Sequence, residues 1–108
     1  MPRVEREYQP GLIKRIERMF PGAIVRKHDM QQGFPDLLIL WGPHWALLEV
    51  KKKRPTKASD FEPNQEWWIE EFDRMSFSAC IYPENEEEVL NALSRSFSSP
   101  RSPRLSRR

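Results

Sequence analysis

"PDLLILWGPHWALLEVK", Pro35 to Lys51, decides how this chain folds. Leu37–Trp41 and Trp45–Val50 are apolar runs that read as two antiparallel strands, joined by a hairpin turn at Gly42-Pro43-His44. Strands this apolar are covered on both faces, which places them centrally in a sheet. Three charges interrupt the pattern: Asp36 opens the first strand, and Glu49 and Lys51 stand two apart at the end of the second. Residues two apart in a strand share a face, so Glu49 and Lys51 point one way while Leu48 and Val50 point the other. Asp36 and Glu49 lie about equally far from the turn, and a register centred on it makes them opposite neighbours.

Outward from the hairpin, Leu12, Ile13, Ile16, Met19 and Phe20 recur at spacings of three and four. They predict an amphipathic helix running to about Phe20, where Pro21-Gly22 ends it. Ala23–Arg26 is a short β-prone segment, and Lys51–Ser59 a polar, basic connection. A second helix follows, with Asn64 or Asp60 as its cap, Pro63 in its first turn, and Glu62 and Glu66 at the positive end of its dipole. Its apolar stripe is Trp68, Ile69, Phe72 and Met75. Phe77–Tyr82 reads as a strand that Pro83 breaks, and Glu86–Phe97 as a last helix built on Val89, Leu90 and Leu93, with the acidic run Glu84–Glu88 at its positive end. The order α-β-β-β-α-β-α describes an α/β sandwich around a small mixed sheet. The sequence carries no internal repeat.

A length of 108 residues suits one domain. The expected division is a domain over residues 1–93 and a tail over 94–108. That tail holds five arginines and no acid, so thirteen basic residues face sixteen acids in the rest, a net −3 hidden within an overall +2. Its Ser, Arg and Pro content predicts disorder. It either holds phosphates nonspecifically or serves only as a solubilising end. No apolar stretch is long enough to span a bilayer, and the first ten residues are charged where a signal peptide is apolar, so a soluble cytoplasmic protein is expected. Cys80 is the one cysteine, which leaves no intrachain disulfide or thiolate zinc cluster and suggests a small buried filler.

An ionised glutamate in a run such as WALLEV is costly to bury unless it is paired or binds a cation. A second carboxylate facing it adds repulsion, which a divalent metal removes. Hard oxygen ligands suit Mg²⁺, with Mn²⁺ able to substitute. Such an ion polarises a phosphoryl oxygen and lowers the pKa of bound water, and Lys51 on the same face is placed to orient that water or to balance charge building on the phosphate. The chemistry implied is phosphodiester hydrolysis. Lys51, Lys52, Lys53, Arg54 and Lys57 form a basic cluster beside this site that suits flanking phosphates, and Arg26 and Lys27 extend it. Trp67, beside the helical stripe, is either core or a stacking surface for an exposed base. His28-Asp29 has no third member to complete a catalytic set, and His44 belongs to the turn.

Pro35-Asp36 followed by Glu49-Val50-Lys51 resembles the PD-(D/E)xK nuclease signature, and the element order is similar to that superfamily's restriction-endonuclease-like core. The strings FPGAIVRKHD, QGFPDLLIL, ALLEVKK, PNQEWW and IYPENEEEVL resemble small phage-encoded nucleases related to the VRR-Nuc domain and to Holliday-junction resolvases. The resemblance spans roughly residues 5–93. It implies a Mg²⁺-dependent endonuclease with Asp36 and Glu49 as metal ligands, the Val50 carbonyl as a further ligand, Lys51 as the catalytic lysine, and Gln65 near the site. It also implies an acid on the first helix. EREYQ selects Glu5, which shares a helical face with Gln9, Leu12 and Ile16, although Pro10-Gly11 falls between them and leaves Glu17 and Glu7 as alternatives.

The function expected is a metal-dependent DNA endonuclease, structure-selective for branched or junction DNA or nicking, acting as a homodimer so that two strands meet two sites. The alternatives are a nucleic-acid-binding module that does not cut and, among nucleases, a site-specific homing-type enzyme. A protein-interaction domain, with the hairpin acids merely ion-paired to Lys51, is a third. No helix-turn-helix or zinc-finger reader is visible, which favours recognition by shape, and nothing in the sequence separates DNA from RNA. No small-molecule cofactor is expected.

Overall fold

A computed structural model describes residues 5–28 and 33–99, with residues 5–7 described by backbone alone. Asp29, Gln32 and the basic tail beyond Ser99, all of which enter the sequence reading, lie outside the described residues. The elements are α1 (Glu5–Met19), β1 (Ile24–Lys27), β2 (Leu37–Trp41), β3 (His44–Val50), α2 (Gln65–Met75), β4 (Phe77–Ile81) and α3 (Glu86–Ser98). This is the expected order, and the strands form one mixed sheet in the order β1-β2-β3-β4. The two apolar runs are its central strands.

The hairpin sets the register. Trp41 pairs with His44 across Gly42-Pro43, and the pairing continues through Leu40↔Trp45 and Ile39↔Ala46 to Leu37↔Leu48. Gly42 has a φ of +59°, which a tight hairpin turn requires at its first central position, and Pro43 suits the second because its ring fixes φ at about −65°. His44 is therefore the first residue of the strand and not part of the turn. β4 joins β3 in parallel, with Leu48↔Ala79 and Val50↔Ile81, which is why a helical crossover must intervene.

Strand alternation divides the sheet into two faces. Val25, Leu37, Ile39, Ala46, Leu48, Val50 and Ile81 are buried with Leu12 and Ile16 of α1 and Val89, Leu90, Leu93 and Phe97 of α3. The other face carries Trp45, whose ring meets Phe72 of α2 edge-on at 6.2 Å. α2 thus forms a third layer over β3 and β4, and the protein is a three-layer α/β sandwich. α1 and α3 are clasped to each other. The Tyr8 hydroxyl donates to Glu86 Oε1 at 2.7 Å, and the Arg15 guanidinium reaches Glu86 at 2.6 Å and Glu87 at 2.8 Å. The acidic run at the start of α3 therefore holds a neighbouring helix as well as suiting its own dipole.

Several boundaries move. α1 runs unbroken through Pro10, which sits early in the helix and on its exposed side, where it removes one backbone hydrogen bond without clashing with the core. β1 begins one residue later than expected, and β4 ends at Ile81. Met75, expected in the apolar stripe of α2, is 61% exposed, because the helix ends there and the chain turns at Ser76 into β4. Cys80 is half-buried, not a buried filler. No helix among the described residues is long and apolar enough to cross a membrane.

The division expected at residue 93 falls inside α3, which continues to Ser98. Phe97 explains why: its ring packs on Phe20 at 5.1 Å and on Trp41 at 6.0 Å, so this part of the presumed tail closes the core. Phe97→Ala is expected to lower unfolding stability by about 3 kcal/mol in denaturant titration, as for other buried aromatics; a loss below about 0.5 kcal/mol, as for a surface change, would mean that the fold ends at Leu93.

Candidate active site

The site forms where the hairpin ladder runs out. Just past β3 the N–H of Lys51 donates to Ile81 O on β4 at 2.9 Å, so by alternation the N–H and C=O of Val50 face β2. The register brings Pro35 opposite Val50, and Pro35 has no N–H to offer. The Val50 C=O therefore receives no ladder bond from its opposite residue. The Val50 N–H is taken by a side chain: it donates to Asp36 Oδ2 at 2.9 Å. Asp36 is further fixed by its own carbonyl, which accepts from the His28 N–H at 2.6 Å at the end of β1.

One step beyond Leu37↔Leu48, the same register sets Asp36 level with Glu49. Glu49 lies on the face covered by α2 and is 3% exposed. Lys51 shares that face, with its Nζ 3.4 Å from Glu49 Oε2 and 5.4 Å from the centre of the Phe61 ring. The Asp36 and Glu49 carboxyl groups interact across the end of the hairpin. Burial raises the Asp36 pKa above its ordinary 3.8, and the nearby Glu62 charge pushes the same way. The Val50 N–H, the Lys51 ammonium and the interaction with Glu49 pull against that rise without cancelling it. The pair that the sequence placed across the hairpin is brought together in space.

α2 supplies the other wall. Gln65 is 3% exposed, and its Oε1 accepts from the Glu62 N–H at 3.0 Å. Glu62 in turn accepts from the Gly33 N–H at 3.1 Å, which ties the turn before α2 to the segment leading into Asp36. Gly33 has a φ of +86°, and a Cβ there would come within 2.5 Å of Pro63 O, so no larger residue fits the joint. Gln65 thus acts through Glu62. Neither Asp60 nor the Asn64 side chain caps α2: Asn64 has a φ of +68° and makes no capping bond. Asp60 instead accepts from the backbone N–H of Thr56 and Lys57 and folds the basic connection on itself.

Lys51, Lys52, Lys53 and Arg54 line an open groove with Pro55 and Asp60, while Lys57 stands exposed beside it. Lys27 pairs with Leu37 and so stands at the site end of β1, yet alternation places Arg26, not Lys27, on the face of Glu49. The α1 acid divides in the same way. Gln9, Leu12 and Ile16 are all buried, so the helix face that the Glu5 position extends is the one packed on the sheet, while Glu17 is exposed. The side chains of Glu5 and Glu7 lie outside the described residues. The sequence reading took Glu62 as a dipole partner and missed its place beside Asp36. The signal was Gln65 three residues after it, half of a capping exchange.

Among the described residues no group of three or more His, Cys, Asp or Glu side chains is placed to hold a metal ion. Two carboxylates that repel one another, beside a backbone carbonyl without its ladder donor, nonetheless fit Mg²⁺, which takes one or two carboxylates and completes its shell with water and phosphate. No known family model matches the chain, and no curated protein or solved structure is significantly similar to it.

The raised Asp36 pKa gives the metal-free protein a pH signature. Between 3.8 and the elevated value the folded state holds more protons than the unfolded one, so stability falls as pH rises through that window. Asp36→Asn is expected to remove this slope and, at neutral pH without metal, to leave the protein at least as stable as wild type. If Asp36 is a metal ligand, Mg²⁺ at about ten times its Kd is expected to add about 1.4 kcal/mol to wild type, a rise in Tm on the order of 5 °C for a domain of this size, and nothing to the variant. Equal Mg²⁺ shifts in both proteins would remove Asp36 from the ligand set.

Proposed function

We propose that this protein is a metal-dependent endonuclease that hydrolyses DNA phosphodiester bonds. The observation that carries the reading is the meeting of the Asp36 and Glu49 carboxyl groups at the open end of the hairpin, with the Lys51 ammonium 3.4 Å from Glu49. A binding module gains nothing from burying acids that repel phosphate, whereas a hydrolase needs oxygen ligands of this kind.

Asp36, Glu49 and the Val50 carbonyl would hold the ion. The chemistry a bound Mg²⁺ or Mn²⁺ supplies there is neutralisation of phosphoryl charge and a lowered pKa for the attacking water. Lys51, held by Glu49 and the Phe61 face, presents a fixed positive charge to the phosphate as negative charge builds on it. The groove of Lys51–Arg54 takes the flanking phosphates, with Lys57 at its edge. Gln65 and Glu62 keep the α2 wall in place against Gly33. Glu5 is the α1 position we assign to the metal's outer surroundings. Cutting two strands requires two such sites, which a twofold homodimer provides. A cytoplasmic setting, where Mg²⁺ and DNA are both at hand, belongs to the same reading.

Labelled single-stranded, duplex, flap and four-way-junction DNAs, incubated with Mg²⁺, Mn²⁺ or EDTA, test it. Wild type is expected to cut in either metal and not in EDTA. Glu49→Ala should abolish cutting, and Lys51→Ala should slow it on the order of 100-fold or more, the usual loss when one fixed charge-stabilising donor is removed. Wild type that binds these DNAs yet cuts none of them in either metal would make the protein a non-cleaving binding module.

A further inference from the structure

Trp67 is 54% exposed on α2, two residues beyond Gln65. It is not loosely held. Trp68 meets it edge-on at 4.9 Å, and Trp68 is itself stacked on Phe72 at 5.3 Å and against Phe34 at 4.8 Å. Phe34 is the second residue before Asp36, so this aromatic brace is continuous with the segment that positions the carboxylate. Asn64, Trp67 and Trp68 line an open cavity of about 300 Å³. Asn64 holds a left-handed φ of +68° that an L-residue adopts at a cost, and its amide is not used as a helix cap. An indole braced on one side and open on the other loses little freedom on binding a flat partner.

We propose that Trp67, with Trp68 behind it and Asn64 at its edge, is a stacking subsite for an unpaired DNA base next to the scissile phosphate. This rests on the endonuclease reading and specifies its substrate as DNA with a single-stranded flank. The charge pattern selects the occupant. Lys51–Arg54 attract phosphates on the groove side, whereas Glu66 and Glu70 border Trp67 on the exposed surface of α2 and repel them. The part of a nucleotide that enters here is therefore its uncharged base. A base inside an intact duplex has both faces stacked and offers none to an indole, so a flap, fork, overhang or gap supplies the ligand. The Asn64 amide, both donor and acceptor, meets the polar edge of any base, and the subsite tolerates sequence.

The test is equilibrium binding by fluorescence anisotropy, using the full chain in Ca²⁺ and labelled DNAs with a 5′ overhang, a 3′ overhang or blunt ends. Trp67→Ala is expected to weaken binding of at least one overhang DNA roughly 5- to 150-fold, the range of one base-aromatic stack, and to change blunt-duplex binding less than about twofold. Trp67→Phe should retain most of the affinity, because a smaller ring still stacks. Abasic sites in the overhang should weaken wild type to the level of Trp67→Ala and weaken the variant no further. Trp67→Ala that binds overhang and blunt DNAs as wild type does overturns the subsite, and Mg²⁺-dependent cutting by the same preparation would leave the endonuclease reading standing. Wild type that binds none of the DNAs overturns both.

Discussion

The register of one hairpin governs this molecule. A two-residue turn at Gly42-Pro43 leaves β2 and β3 a single way to pair that keeps Leu37, Ile39, Ala46 and Leu48 on the buried face. A slip of one residue would turn each of those side chains to the opposite face. The same constraint that assembles the core delivers Asp36 to the level of Glu49. Core and site are thus two readings of one alignment.

Proline explains why the ladder stops where it does. Pro35 cannot donate to Val50, so the last rung is made by the Asp36 side chain, and the Val50 carbonyl is left beside it. The Asp36 carboxylate at this point acts against stability in the metal-free protein, because burial, and then the nearby Glu62 charge, disfavour its ionised form. The rest of the structure offsets it. Among the described residues sixteen hydrophobic side chains are buried, and the α1–α3 clasp through Tyr8, Arg15 and Glu86 holds the outer layer in place. A rigid frame can hold like charges that a loose one would let swing apart.

What the sequence made legible follows the range of the physics involved. Period-two burial and turn chemistry are local, so β2, β3, their central position and the Asp36–Glu49 level could be read before any coordinates. Lys51 followed from alternation alone. The α2 wall could not be read in the same way. The placement of Glu62 depends on a bond to Gly33, far away in sequence, and Asp60 found nearer partners in Thr56 and Lys57 than a helix N-terminus. Met75 continued the helical stripe on paper, but a stripe does not say where the sheet beneath it ends. Phe97 falls both at the end of the expected last helix and within the expected tail, and the adjacent Phe20 and Trp41 rings decide between them by packing it into the core.

The hairpin is also the most local part of the sheet. β3 reaches its other neighbour, β4, only through the long crossover containing α2, whereas β2 and β3 are separated by two residues. Loop closure favours the shorter connection, so contacts across the turn are the cheapest in chain entropy to make. The like charges of Asp36 and Glu49 therefore meet in the part of the chain that orders at least entropic cost, before burial is complete and while water still screens them. Their repulsion grows as α2 and β4 cover the face and exclude water, so the electrostatic cost of the pair falls on docking of the crossover and not on closing the hairpin.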